Sequence, residues 1–386
     1  MQQNNQILHD ASSSSHFDEF GANQQAKHKK LTIHVVQHLA PGGIESLVLE
    51  MLEKATDDQP SMVISLEGQR LPALQHWDRL SKYSHQLLFL NKAQGVTPGL
   101  VSQLKRLFSI LKPAVVHTHH IGPLLYAGSA ARLAKVDTII HTEHDGWHLD
   151  NNKRANIQNI ALNLVKPRLV ADADFVAKQL VSRFDYADLT VIKNGIDCQR
   201  FKPASKTLAR QILKLPADAT LIGCAGRLEF VKGQDVLINA LAALNDNIHL
   251  AFAGVGSQLT ELQELAHNLG VEKRVHWLGL VEDMPRFYQS LDLFCLPSRN
   301  EGFPLSTLEA QACNVTTIAT DVGATSETLC PHSSLLVPAE NPQALANAIH
   351  TLTSLPNYPQ PRQFVLTHNE LDCMITRYRQ LAEKGE

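Results

Sequence analysis

From residue 31 onward the chain alternates short β-branched apolar runs with longer stretches whose apolar positions recur every three or four residues. The first kind predicts strands and the second amphipathic helices. In the first half, strands are expected in LTIHVVQHL (31–39), SMVISLEG (61–68), HQLLFL (85–90), AVVHTHH (114–120), TIIHTEHD (138–145) and RLVADAD (168–174). The rhythm restarts with TLIGCAGRL (220–228), IHLAFAGVG (248–256), RVHWLGL (274–280), LDLFCLPS (291–298), VTTIATD (315–321) and SSLLVP (333–338). Strands alternating with helices are the pattern of parallel sheets covered by helices. Two such α/β units of similar size follow, joined near NGIDCQRFKP (194–203).

Length and composition agree with this division. At roughly 150 residues per domain, 386 residues with 44% hydrophobic content give two domains, each able to bury a core. A formal net charge of -3 carries no basic excess for nucleic-acid binding, so nucleic acid is not an expected partner. Cys198, Cys224, Cys295, Cys313, Cys330 and Cys373 form no C-x-x-C pair, and several fall inside apolar runs, which suits buried thiols in a reducing compartment. No run of 18 apolar residues occurs, and MQQNNQILHDASSSS lacks the charged start and apolar centre of a signal peptide. The expectation is a cytoplasmic protein whose polar residues 1–29 form a flexible tail. The KHKK cluster closing that tail leaves a peripheral contact with anionic lipid at the inner membrane face open, although a solvated linker is favoured.

In open parallel sheets, ligands sit beyond the carboxyl ends of the strands. The unusual residues fall in those loops: PGGIE (41–45), EHDGWH (143–148), GRLEFVKG (226–233) and NEGFP (300–304). Two such faces turned toward each other make one interdomain cleft. Gly42 and Gly43 permit positive φ and close backbone approach ahead of a helix start that favours an anion. They do not form G-x-G-x-x-G, which removes the best support for a nicotinamide enzyme. Arg227 and Lys232 offer a forked and a point cation able to converge on phosphates; alone they read equally well as solvated charges.

In NEGFPLSTLEAQA, Pro304 suits the first position of a helix over about 304–313. The free N–H groups of its first turn, near Gly302, Phe303, Pro304 and Leu305, would seat phosphate or sugar oxygens. Glu301 precedes that helix and Glu309 lies about 7.5 Å along it at 1.5 Å per residue. A glycosidase pair needs carboxylates about 5 to 9.5 Å apart, which spacing alone allows. The nearby glycines and cations favour a diphosphate ligand over a neutral glycan. No D-x-D cluster accompanies them, so no metal is expected there.

His117, His119 and His120 follow one strand, and His141, His144 and His148 surround the next. A zinc site is formally open. Strict alternation sends some of these rings to the core and others to helix-covered faces, so no metal is expected here either. One histidine at the strand end, His144, is favoured as a substrate-orienting or proton-handling group.

Taken in order, the GG pair, HTEHD, KNGID, GRLEFVKG, LVED and the E-x7-E of EGFPLSTLE resemble the retaining glycosyltransferases of family 4, across nearly the whole chain after the tail. The resemblance implies the GT-B fold, two Rossmann-like domains facing a cleft. It implies an acceptor-binding domain over 30–197, a donor domain over 198–365, and a C-terminal helix over 366–386 packing back on the first domain. Arg227 and Lys232 would hold the diphosphate of a UDP- or GDP-linked sugar, a co-substrate with no further cofactor. Glu309 would accept from the ribose hydroxyls. Glu301, with Gly302, Phe303, Pro304 and Leu305, would orient the donor sugar. Gly42 and Gly43 would approach the phosphates from the first domain, the base would lie against Leu280 and Val281, and His144 would stand near sugar and acceptor. His144, Glu301, Arg227 and Lys232 are thus the catalytic candidates. The expected activity is transfer with retention to a glycan or lipid-linked acceptor in surface or exopolysaccharide assembly. A GT-B epimerase, a phosphorylase or a non-catalytic scaffold stands as the alternative. Asn314 and Thr316 replace a frequent Gly and Pro after the second glutamate, with Asn314 expected in a left-handed turn. Gly323-Ala324 replaces the usual Gly-Gly, with Glu327 retained.

Overall fold

A computed structural model describes residues 30–186, 188–354 and 361–383. The tail expected over 1–29 lies outside them. The first sheet contains β1 (Thr32–Val36), β2 (Ser61–Ser65), β3 (Leu87–Phe89), β4 (Val115–His119), β5 (Thr138–Glu143), β6 (Arg168–Ala171) and β7 (Leu189–Val191). The second contains β8 (Thr220–Ala225), β9 (Ile248–Ala253), β10 (Val275–Trp277), β11 (Leu293–Leu296), β12 (Thr316–Thr320) and β13 (Leu335–Val337). Every pairing is parallel, in the orders β3-β2-β1-β4-β5-β6-β7 and β10-β9-β8-β11-β12-β13. These are two doubly wound Rossmann-like sheets, each with its crevice where the strand order reverses, between β1 and β4 and between β8 and β11.

All twelve expected runs contain a strand, each shorter than its run. The surplus residues, such as QHL after β1 and GVG after β9, are the loops at the strand ends. The unexpected β7 is held by pairing Leu169↔Leu189 through Ala171↔Val191.

Five helices matter for the site: α1 (Gly43–Glu53), α2 (Asn152–Val165), α3 (Asp174–Arg183), α4 (Leu305–Ala312) and α5 (Leu371–Glu383). α5 lies on the first sheet, where Leu371, Met374, Ile375, Tyr378 and Leu381 pack with Val115, Ile140 and Val170. Its Tyr378 hydroxyl bonds Thr142 Oγ1 at 3.0 Å, and the Ala382 carbonyl accepts from Thr138 Oγ1 at 3.3 Å. Asn314 adopts φ 65 just past α4, the left-handed turn expected of it. Among the described residues, no helix is long and apolar enough to cross a membrane.

Candidate active site

The C-terminal ends of both sheets face a cavity of about 710 Å³. All thirteen residues singled out from the sequence line it: Gly42, Gly43, His144, Arg227, Lys232, Leu280, Val281, Glu301, Gly302, Phe303, Pro304, Leu305 and Glu309.

The glycines of the first loop act through proximity rather than conformation, which corrects the expectation of positive φ. Gly42 is extended at φ -166, ψ 164, and Gly43 is absent from the positive-φ residues. A Cβ on Gly42 would meet Glu45 Oε2 at 2.3 Å, and one on Gly43 would touch Leu305 Cδ1 of the facing domain at 3.7 Å. The loop therefore comes within side-chain contact of the α4 start.

Pro304 also sits one place earlier than expected. It is the N-cap of α4 with φ -70 and ψ 113, because the chain enters from the extended EGFP loop and turns helical only at Leu305. No side chain caps this end, so the first-turn N–H groups point into the cavity region without a side-chain acceptor. Glu301 Oε1 accepts from Lys232 Nζ at 2.7 Å and from Ser298 Oγ at 2.6 Å. The two loops carrying these residues are locked together by Arg299. It donates to the Phe230 carbonyl at 2.6 Å and to both Asp235 oxygens at 2.8 and 2.7 Å, and stacks 3.9 Å over the Phe230 ring. Arg227, by contrast, is exposed and makes no ion pair with the described residues. A cation left free beside a helix N-terminus is a seat for an anion.

Glu309 Oε2 accepts from the Tyr288 hydroxyl at 2.6 Å. Loss of water pushes the Glu309 carboxyl up, against the opposing effects of Tyr288, Arg200 and Arg79. Behind it, buried Glu50 accepts from Arg200 at 2.7 Å and Arg79 at 3.4 Å, and burial pushes its pKa up to about 7. Arg79, Arg200 and Tyr288 line the cavity too and were not anticipated. Arg200 lay in the quoted junction NGIDCQRFKP, but nothing local tells its side chain to turn back toward α1.

His144 reaches the cavity from the end of β5. Its Nδ1 pairs with Asp172 Oδ2 at 3.0 Å, and that oxygen also accepts from Asn194 at 2.8 Å. Burial would lower the His144 pKa, yet the bond to Asp172 and the charges of Asp172, Glu143 and Asp145 outweigh it and hold the ring above the ordinary histidine value. Its Nε2 lies 3.1 Å from His119 Nδ1. Both ring nitrogens thus have partners inside the protein. The remaining histidines divide as alternation requires. His117 and His119 share one face with Thr142, while His141 bonds Glu143 at 2.8 Å on the other, where Gln158 of α2 also reaches Glu143. The His148 side chain lies outside the described residues.

The domains touch through backbone at Gly302. A Cβ there would lie 2.0 Å from the His144 carbonyl oxygen, and one on Gly323, at φ 57, would lie 1.7 Å from the Glu301 carbonyl oxygen. Ala324 N–H donates to the Gly302 carbonyl at 3.0 Å. Glu327 crosses between the domains to accept from the N–H groups of Asp174 and Phe175 at the start of α3, at 3.0 and 2.7 Å, and pairs with Lys193 at 2.9 Å. It acts as a latch and is not among the cavity residues. Because neither backbone at Gly302 can yield, Gly302→Ala should hold the domains apart. Turnover is expected to fall at least about 100-fold, the scale of a misplacement of about 1 Å in a reacting centre. Steady-state kinetics checks it, with the melting temperature shifting by only a few degrees.

Residues 41–200 match Glycosyltransferase Family 4 and residues 205–365 match Glycosyl transferases group 1. The two matches fall one on each Rossmann-like sheet, the arrangement of the GT-B fold. The family 4 domain holds Gly42, Gly43 and His144, and the group 1 domain holds the other ten candidates. A D-inositol 3-phosphate glycosyltransferase of Saccharomonospora viridis is 36% identical over 199 residues, 47% of this chain and 46% of its own. The lipopolysaccharide core biosynthesis mannosyltransferase of Rhizobium meliloti is 36% identical over 177 residues, 41% of this chain and 49% of its own. The chain spans about half the length of these curated relatives. In fold it is similar to Anabaena HepE, solved with UDP and glucose, at TM-score 0.80 and 18% identity, over 92% of this chain and all of that one. It is also similar to sucrose-phosphate synthase of Thermosynechococcus elongatus, at TM-score 0.74 and 18% identity, over 92% and 98%.

Proposed function

We propose that this GT-B chain is a hexosyltransferase that moves a sugar from a nucleoside diphosphate to a glycan or lipid-linked acceptor, with retention at the anomeric carbon. The observation that carries the reading is the grouping of a free Arg227, the Lys232–Glu301 pair and the uncapped start of α4 on one interdomain cavity. A diphosphate leaving group gains negative charge as its bond to the sugar breaks. Preorganised cations and backbone N–H groups aimed at that charge lower the barrier without a metal. Arg227 and Lys232 take the diphosphate with the α4 amides, and Gly42 and Gly43 close over it from the other domain. Glu309, braced by Tyr288, accepts from the ribose hydroxyls, and Glu301 orients the sugar. Leu280 and Val281 lie against the base. His144, fixed by Asp172 and His119, acts as a positioning residue whose carbonyl seats Gly302.

The acceptor hydroxyl attacks on the face the diphosphate leaves, which gives retention without a covalent intermediate. The HepE likeness supports a nucleotide donor in kind, and the lipopolysaccharide core mannosyltransferase of Rhizobium meliloti supports surface-glycan assembly as the pathway class. Screening the purified chain against a panel of nucleotide sugars by thermal shift tests the donor. A ligand at 100 times its Kd that binds only the folded state adds about 2.7 kcal/mol of stability. The expected result is a rise of several degrees for one base and sugar. No rise with any of the panel would sink the assignment.

A further inference from the structure

We propose that His34, His117 and His119 form a binding site for one divalent cation of the zinc type, buried on the face of the first sheet that α5 covers. The parallel pairing of β1 with β4 sets His34 directly beside His117, and His119 follows two residues on, on the same face. One nitrogen from each ring lies within 4.8 Å of the others. A tetrahedral ion with Zn–N bonds of about 2.0–2.1 Å holds its ligands roughly 3.3 Å apart, so the rings need only small side-chain rotations to close on it.

The unmet bonding capacity points the same way. His34 Nδ1 and His119 Nε2 are buried, in residues 3% and 1% exposed, and neither has a hydrogen-bond partner. Leaving two imidazole nitrogens dry and unpaired is costly unless something else takes their lone pairs. Two of the other nitrogens already have partners: His117 Nε2 bonds Thr142 Oγ1 at 2.8 Å, and His119 Nδ1 bonds His144, which is held by Asp172. Such outer partners fix ring orientation and tautomer. His34 and His117 also line a second cavity of about 630 Å³, open toward the N-terminal ends of the strands, from which water can complete the coordination. His34 and His117 do not line the cleft, and the site touches it only through the bond from His119 to His144.

The test is Co(II) and Zn(II) titration of the full chain purified free of metal. One equivalent of Co(II) is expected to give the strong visible bands of a tetrahedral centre, and Zn(II) to displace it and raise the melting temperature. His34→Gln and His117→Gln should each weaken binding at least 100-fold, while His332→Gln at the surface changes nothing. X-ray absorption on the zinc-loaded wild type, expected to count three imidazoles, keeps the test open if a variant fails to fold. Absent bands, retained affinity in the His34→Gln, His117→Gln double variant, or fewer than three imidazoles would overturn the proposal.

Discussion

Replacing Lys232 with alanine is expected to cut the turnover number about 10² to 10³-fold, the usual effect of removing one preorganised group that stabilises transition-state charge. Two losses combine. The leaving diphosphate loses its point cation, and Glu301, 6% exposed, keeps only the Ser298 hydroxyl as a partner for its carboxylate. The uncompensated charge then repels the diphosphate it should sit beside. Lys232→Arg should recover only part of the rate, since a guanidinium fork does not fit the 2.7 Å single-point contact with Glu301. The signature is a loss in kcat larger than the change in KM, measured by nucleotide release. A variant with unchanged kcat would remove Lys232 from the reacting centre.

Glu309→Ala is expected to act on binding. A carboxylate that accepts from two ribose hydroxyls contributes about 1.5–3 kcal/mol per charge-assisted bond, so donor Kd should rise at least about 100-fold in calorimetry. The same change strands the buried Tyr288 hydroxyl, which now bonds Glu309 at 2.6 Å. Glu309→Gln keeps one acceptor oxygen and should fall between. If the alanine variant binds the donor as tightly as the wild type, the ribose lies elsewhere in the cleft.

The fold was legible because strand and helix periods alternate without interruption, and the grouping of the candidate residues on one cavity because parallel sheets bring loops that follow strands to one edge. What escaped were relations between distant segments. Tyr288 lies in the short helix Met284–Gln289, and only tertiary packing points its hydroxyl at Glu309. Asp172 and Asn194 stand in quoted stretches, yet their bond to each other and to His144 depends on β5, β6 and β7 lying side by side. Pro304 has a φ that suits either an N-cap or a first helical residue, and ψ, which sequence does not fix, decided for the cap. His34 stands alone among the residues of β1, and its companions come from the β1–β4 register. Glu327 carried only a family position, and the latch onto α3 follows from how the two domains meet.

The central claim is acceptor-dependent transfer from a nucleotide sugar, and the most direct measurement is release of nucleoside diphosphate by the purified chain with and without candidate glycan and lipid-linked acceptors. The expected result is slow release alone, acceleration by one acceptor class, and a product whose anomeric proton shows the donor's configuration by NMR. Turnover of the nucleotide sugar with no acceptor, glycan cleavage that requires phosphate, or donor binding without release under any acceptor would contradict it.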